Sequence, residues 1–284
     1  MRKLHKQCFI AVLFASGAFA TSEVSGTPLL VAQAQSIGLS IVDQDIDTRT
    51  SGTAFADLID ARTASRAVAQ FGTLRALGQA VDVPPVPSHS TSAAAAASWA
   101  DDVTLDAAGL MGQVGTATVQ YRIDGSMSFD SAASARSNYS FFVRRGQLFD
   151  NVSVGNWEIG VGASGADFMN RTISATFPIV FGAERQWTFT ISLQSTVFGI
   201  VQDASALVDM SDTALWLGIS EVRDAAGSLV STYGVTSTSG TDWSQSVLQA
   251  VPEQPVPEPS ALLLFCVGAL AIFGVALRTR NEHA

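Results

Sequence analysis

Cysteine, histidine and lysine are the scarce residues of this 284-residue chain, and each scarcity closes off a chemistry. The two cysteines are Cys8, close to the N-terminus, and Cys266, in an apolar run near the C-terminus. The sequence between them has no thiol, so it forms no disulfides and offers no sulfur nucleophile. At about 200 residues it is long enough to bury a core without cross-links. Of the three histidines only His89 lies away from the ends, in Val86-Pro-Ser-His-Ser90. A triad base must be held by rigid neighbours within hydrogen-bond reach of its serine, and a proline-rich polar connection does not do that. One histidine without cysteine also leaves too few nitrogen or sulfur ligands for zinc. Lysine stops at Lys6. Between Ser36 and Pro257 stand 22 acidic residues and 11 basic ones, all arginine, a net charge near −11. That balance argues against nucleic acid as a partner and favours solubility in a charged extracellular matrix.

Charge is missing altogether from Ala261 to Leu277, 17 residues of the sequence ALLLFCVGALAIFGVAL. As a helix this run rises about 25 Å, slightly short of a hydrocarbon core of ~30 Å. Snorkelling arginines make up the difference. Residues 261–277 therefore read as one transmembrane helix. Arg278 and Arg280 open a basic tail, 278–284, which the positive-inside rule places in the cytoplasm. Residues 251–260 form a proline-rich linker ending in Val256, Pro257, Glu258, Pro259 and Ser260. Proline biases its predecessor towards extended backbone, so the linker is stiff and exposed, suited to recognition or cleavage by another membrane protein. At the other end Arg2, Lys3 and Lys6 precede an apolar stretch from Cys8 to Phe14, with small residues at Ala18 and Ala20. That is a secretory signal peptide, 1–20, cut after Ala20. A second A-x-A, Ala32-Gln-Ala34, offers an alternative cut after 34.

The order Val-Pro-Glu-Pro, apolar helix, short basic end resembles the PEP-CTERM sorting signal of Gram-negative bacteria, which is similar in layout to the LPXTG signal of Gram-positive surface proteins. The Pro-Glu-Pro core matches at Pro257, Glu258 and Pro259. The resemblance implies an exosortase, a membrane thiol transpeptidase-like enzyme, as the partner that processes the chain near those residues. It also implies a precursor held in the inner membrane by its C-terminal helix and then delivered to the cell surface, its exopolysaccharide or a biofilm. It covers the tail alone.

Residues 36–250 are rich in Gly, Ser, Thr, Ala and Val, with turn clusters every 8–12 residues. That spacing predicts an all-β, antiparallel two-sheet sandwich of jelly-roll kind. Trp187, Phe189, Ile191 and Leu193 alternate with Thr188, Thr190 and Ser192, and Ala117, Val119, Tyr121 and Ile123 with Thr118, Gln120 and Arg122. Period-2 alternation of this kind is a half-buried strand. Further strands are expected at 97–105, 139–145, 148–161, 172–181, 213–222 and 228–236, and strands rather than a helix at 66–81, where Gly72 and Gly78 interrupt the helical face. Pro84-Pro-Val-Pro87 and the polyalanine 93–97 read as a connection. Two pentapeptides, Ser98-Trp-Ala-Asp-Asp102 and Ser239-Gly-Thr-Asp-Trp243, look similar to those of other PEP-CTERM ectodomains.

The remaining candidates for chemistry are few. Asp101 and Asp102 are adjacent, so a strand turns them to opposite sides. Glu158 lies on an expected strand without an identifiable partner for a glycosidase pair. Asp212-Thr-Ala214 lacks the glycine of an aspartic-protease loop and has no second copy. Asp43, Asp45 and Asp47 share one side of an extended chain, a set of oxygens that suits calcium. An EF-hand would place Gly at 48 and Glu at 54, where Thr48 and Ala54 stand, so a solvated acidic strand is the other reading. Asn138, Asn151 and Asn170 begin N-glycosylation triplets of the kind that arise readily where Ser and Thr abound. Of the five tryptophans, Trp187 and Trp99 share faces with apolar neighbours and belong to the core. Trp216, opposite Leu215, Leu217 and Ile219, and Trp243, in a loop, are the candidates for an exposed glycan contact. The expectation is an exported structural or adhesive protein with no catalysis and no cofactor; a carbohydrate-binding module is the alternative, and a carboxylate-dependent hydrolase the next.

Overall fold

The computed structural model describes residues 27–37, 42–81, 90–130, 133–145, 148–159, 165–197 and 204–247. The expected leader 1–20, His89, the linker 251–260, the apolar run 261–277 and the end 278–284 lie outside the described residues. The chain divides into two units, Met1–Leu248 and Gln249–Ala284, and every described residue belongs to the first.

Every named element is a strand: β1 (Leu29–Ile37), β2 (Val42–Arg49), β3 (Ala54–Ile59), β4 (Thr63–Gln70), β5 (Thr73–Val81), β6 (Thr91–Asp106), β7 (Val114–Phe129), β8 (Ala133–Arg145), β9 (Leu148–Ile159), β10 (Gly165–Val180), β11 (Arg185–Val197), β12 (Ser205–Asp224) and β13 (Gly234–Ser237). They form two antiparallel sheets. One runs β2-β1-β6-β11-β8-β9, with β13 also paired to β6; the other runs β10-β7-β12-β5-β4-β3. The alternation read from the sequence sets the burial directly, since Trp187, Phe189, Ile191 and Leu193 of β11 point inward and are closed to solvent.

The sheets stack in matching order, β2 on β3, β1 on β4, β6 on β5, β11 on β12, β8 on β7 and β9 on β10. In all but the β1–β4 pair the stacked strands are consecutive in the chain. The ribbons β6–β7 and β10–β11 cross between sheets side by side, with β6 paired to β11 and β7 to β10, as in a jelly roll. The meander β3–β4–β5 and the hairpins β1–β2 and β8–β9 stay within one sheet and are not part of that pattern.

The interior changes character along the strands. One region is lined by Ala32, Ala34, Ser65, Ala67, Ala76, Ala93, Ala95 and Ala97. Here side chains of one sheet bond to backbone of the other: Ser195 Oγ donates to the Gly78 carbonyl at 2.6 Å, and Ser65 Oγ to the Gln35 carbonyl at 2.7 Å. A single serine therefore bridges the gap, well inside the ~10 Å that separates sheets with large inward residues. The polyalanine 93–97 is for this reason the first part of β6 and not a connection. Alanine is a weak strand former by propensity, but nothing larger fits opposite β4 and β5. The other region is aromatic, holding Trp99, Tyr121, Phe141, Phe177, Trp187, Phe189 and Trp216. Tyr121 stacks on Phe189 with ring centroids 3.9 Å apart.

The strand expected at 228–236 is shorter, comprising Gly234–Ser237 and an isolated bridge between Arg223 and Leu229. The strands expected at 66–81 are present, and Gly72 is the turn between β4 and β5.

Candidate functional site

The residues singled out for sorting, Val256, Pro257, Glu258, Pro259, Ser260, Arg278 and Arg280, lie outside the described residues, as do Ala18 and Ala20. What the structure places is the end of the folded unit that leads to them. After β13 the chain turns back across the core at 238–247. Thr238 N–H donates to the Asp102 carbonyl at 3.0 Å, extending the pairing with β6. Trp243 then enters the aromatic core and is closed to solvent. Its ring stacks on Trp99 with centroids 4.2 Å apart and planes 22° apart, and meets Trp216 edge-on at 5.2 Å.

Asp101 fastens this segment. It lies on the inward face of β6 between Trp99 and Val103 and is wholly buried. Its carboxylate accepts from Trp243 Nε1 at 2.7 Å, from Ser239 N–H at 3.0 Å and from Ser239 Oγ. A buried carboxylate costs free energy unless its oxygens are bonded, and here both are. Trp216 Nε1 donates in turn to the Trp243 carbonyl at 2.9 Å. Gly218, at φ +102°, lets β12 pass close to the segment, since a Cβ there would stand 2.8 Å from the Ser244 carbonyl oxygen. Val247 packs where a Cβ on Gly72 would lie. The result is a clasp that locks residues 239–247 to the end of the sandwich.

Two pentapeptides of the sequence thus meet in space. Trp99 and Asp101 come from Ser98–Asp102, and Ser239 and Trp243 from Ser239–Trp243. Their pairing was not legible from either alone. The signal was present in composition: an aspartate at an inward position of a strand needs donors, and an indole N–H is one.

Trp216 and Trp243 are not exposed as expected. Both are buried, at 1% and 0% exposure. Plain alternation puts Leu215, Leu217 and Ile219 on one face and leaves Trp216 opposite. A bulge between Trp216 and Gly218 shifts the phase, so Ile219 joins Ala214 and Trp216 inside while Leu215 and Leu217 are left half-buried on the outer face. Trp243, although in a loop, is pulled inward by Asp101.

Asp43, Asp45 and Asp47 do share one side of β2, as alternation requires, but two of the three carboxylates serve the backbone. Asp45 Oδ2 accepts from Asp57 N–H at 2.9 Å, and Asp47 Oδ2 from Phe55 N–H at 3.1 Å. They cap outward N–H groups of β3, an edge strand of its sheet, and so blunt an edge that otherwise invites pairing with another chain. The Phe55 N–H bond, followed by Arg49 2.8 Å away, holds the Asp47 carboxyl below the usual carboxylate range. Among the described residues no three His, Cys, Asp or Glu side chains converge as metal ligands.

Asp60 and Tyr121 are likewise occupied or insulated. Asp60 lies in the β3–β4 turn and is partly desolvated. Bonds from the N–H groups of Arg62 and Thr63 and from the hydroxyls of Thr63 and Ser36 outweigh that burial and hold its pKa below the usual range. Ser36 belongs to β1, so this carboxylate also ties the two sheets together. Burial pushes the Tyr121 hydroxyl well above the usual phenol range, and it stays protonated. Asp101 and Asp102 face opposite sides of β6. Glu158 stands opposite Arg136 in register, and Asp212 lies in the β12 irregularity between Met210 and Ala214.

At the front end, Ala32 and Ala34 sit in β1, between β2 and β6, with both side chains in the core. Among the described residues no helix is long and apolar enough to cross a membrane.

Nothing among the curated proteins or the solved structures matches the chain. A family model for the PEP-CTERM protein-sorting motif matches residues 255–281, and the chain therefore carries that motif at its C-terminal end.

Proposed function

We propose that this chain is an exported surface protein, synthesised with a leader, held in the inner membrane by residues 261–277 and processed by an exosortase at the motif around Pro257–Pro259. The observation that carries the reading is the sorting motif at 255–281. It begins eight residues after Val247, the last described residue of the sandwich. The sandwich is the cargo and the tail its address. The role of the cargo is structural or adhesive, in an exopolysaccharide or biofilm setting, and non-catalytic. In support, its sequence between the termini offers one histidine and no cysteine, and its two most buried candidate acids, Asp101 and Tyr121, are a structural acceptor and an insulated phenol. The carbohydrate-binding alternative drew in part on Trp216 and Trp243, and their burial weakens it.

Replacing Pro257, Glu258 and Pro259 by alanine in the full-length chain tests the sorting step. The expected outcome, read by immunoblot of membrane and secreted fractions from the native host, is a longer, membrane-bound form that does not mature. A variant of unchanged size and secretion would remove the proposal.

A further inference from the structure

A phenylalanine ring stands by itself on the outer face of β10. The strand alternates, so Ala175, Phe177 and Ile179 point inward and Phe168, Asn170 and Thr172 outward. Phe168 is 78% exposed, more than any other large apolar side chain among the described residues. Across the ladder, Ser126, Asp124 and Arg122 of β7 stand opposite Phe168, Asn170 and Thr172. Ile123 and Met127 take the inward positions of β7, so Arg122 and Asp124 share the outer face with the ring.

The polar groups beside the ring have bonding capacity to spare. Arg122 Nε lies 2.8 Å from Asp124 Oδ2, yet neither Arg122 Nε nor Asp124 Oδ1, both screened from water, has a hydrogen-bond partner. The rest of the Arg122 side chain is open, at 43% exposure. A carboxylate only accepts, a guanidinium only donates, and the amide of Asn170 does both. Sugar hydroxyls donate and accept in turn, so neighbouring hydroxyls of one ring match this set. The C–H face of the same sugar suits the electron-rich face of an aromatic side chain.

Other occupants fit less well. A membrane or an apolar protein face would desolvate Arg122 and Asp124 without pairing them, and Phe168 has only Ser126, Asn170 and Ala166 around it to extend a patch. β10 is an edge strand, and a strand added there would use its outward N–H groups. Phe168 N–H is already given to Asp167 Oδ1 at 2.9 Å. Asp124 and Asp167, in a chain of formal net charge −9, disfavour an acidic glycan.

We infer that this part of β7 and β10 binds an uncharged polysaccharide chain, with Phe168 stacked on one sugar ring and Arg122, Asp124 and Asn170 bonded to its hydroxyls or those of the next. Neighbouring strands lie about 4.8 Å apart and alternate residues about 7 Å apart along a strand, so the four side chains form a strip along which a glycan lies extended. This names a ligand for the matrix role proposed above and rests on that role, but not on the sorting step.

The test uses the full-length chain, solubilised in detergent and immobilised. The probe is polysaccharide extracted from the host's own matrix and separated by anion exchange into uncharged and acidic fractions, with binding read by biolayer interferometry. Wild type is expected to bind the uncharged fraction and to lose little when salt is raised to about 1 M, since no ion pair is made to the ligand. Phe168→Ala is expected to weaken binding about tenfold, and Arg122→Gln with Asp124→Asn about tenfold or more. Phe168→Trp keeps the stacking face and is expected to stay within about twofold of wild type or to bind more tightly. The ring lies outside the core, so Phe168→Ala should unfold at the wild-type temperature. Binding of wild-type strength in Phe168→Ala overturns the inference, and so does a preference for the acidic fraction or a wild type that binds neither. The matrix role is scored separately, by whether the protein stays with the matrix when host cells are washed. A protein retained there whose purified form gives any of those three results leaves the matrix role standing and removes this site.

Discussion

Replacing Asp101 by alanine deletes an acceptor that three donors share, and the cost follows from where those donors are. Trp243 Nε1 is inside the core, so without its 2.7 Å bond it has no water to turn to. A buried donor left unpaired costs about 1–3 kcal/mol. The N–H and hydroxyl of Ser239 are only part-buried and recover some hydration. Taken together the loss is about 3–4 kcal/mol, a large share of the 5–15 kcal/mol typical of a domain. For a domain of this size each kcal/mol moves Tm by about 2–4 °C, so the expected drop is roughly 6–16 °C. The assay is thermal unfolding of the secreted, processed protein, followed by tryptophan fluorescence. Asp101→Asn keeps the shape and one acceptor oxygen, and is expected to lose about half as much. Trp243→Phe removes the N–H and keeps most of the ring, and the double-mutant cycle with Asp101→Ala should give a coupling above about 1 kcal/mol. A Tm drop under about 2 °C for Asp101→Ala, or additive losses in the cycle, would refute the view that this carboxylate holds the segment.

Other outcomes follow from the same geometry. The mature N-terminus, read by mass spectrometry, should lie upstream of Leu29 and most simply at Thr21, because a cut after Ala34 would take Leu30, Ala32 and Ala34 out of an internal strand. Gly78→Val should lower the urea midpoint by about 1–3 kcal/mol of stability at unchanged m, since a Cβ there stands 2.6 Å from Leu193 Cδ1 and 3.3 Å from the Ala93 carbonyl oxygen. Asp47 and Asp60 have folded pKa values below their unfolded ones. Their stabilisation is therefore complete above about pH 4 and is lost as pH falls through the depressed values. Unfolding midpoints measured across the acid range should fall below pH 4 in wild type and less steeply in Asp60→Asn. Asp45→Ala with Asp47→Ala should speed amide exchange at Phe55 and Asp57 while leaving the core amides of β11 protected.

Strands with strict alternation were legible because one face is buried and the other is not, as in β11 and β7. β6 was only half read. Its aromatic part obeys alternation, but its alanines resemble a linker until one knows that β4 and β5 press close from the other sheet. Trp216 failed for a local reason: a bulge between Trp216 and Gly218 brings Ile219 to the inner face, and a second irregularity between Ile219 and Glu221 restores the phase, so the apolar Leu215, Leu217 and Ile219 do not share a face. Gly218 inside the strand was the one local sign. The clasp failed for a non-local one, because Asp101 and Trp243 are 142 positions apart and each looks ordinary in its own segment. The sorting tail, by contrast, is linear. Its parts are read in order along the chain, as a processing enzyme would read them, and so it was visible from the sequence alone.

The same separation of partners bears on the time at which the domain forms. β1 pairs with β6, β6 with β11, and Asp101 waits for Trp243, so much of the structure is made of partners far apart in sequence. Folding rates fall as this mean separation grows, and all-β folds of such topology form in milliseconds to seconds. A chain emerging N-terminus first has β1 to pair with β6, but it lacks β11, the other neighbour of β6 in the sheet, and the indole for Asp101 until most of it has been made. The sandwich therefore closes late, once β11 and then Trp243 are present to complete it.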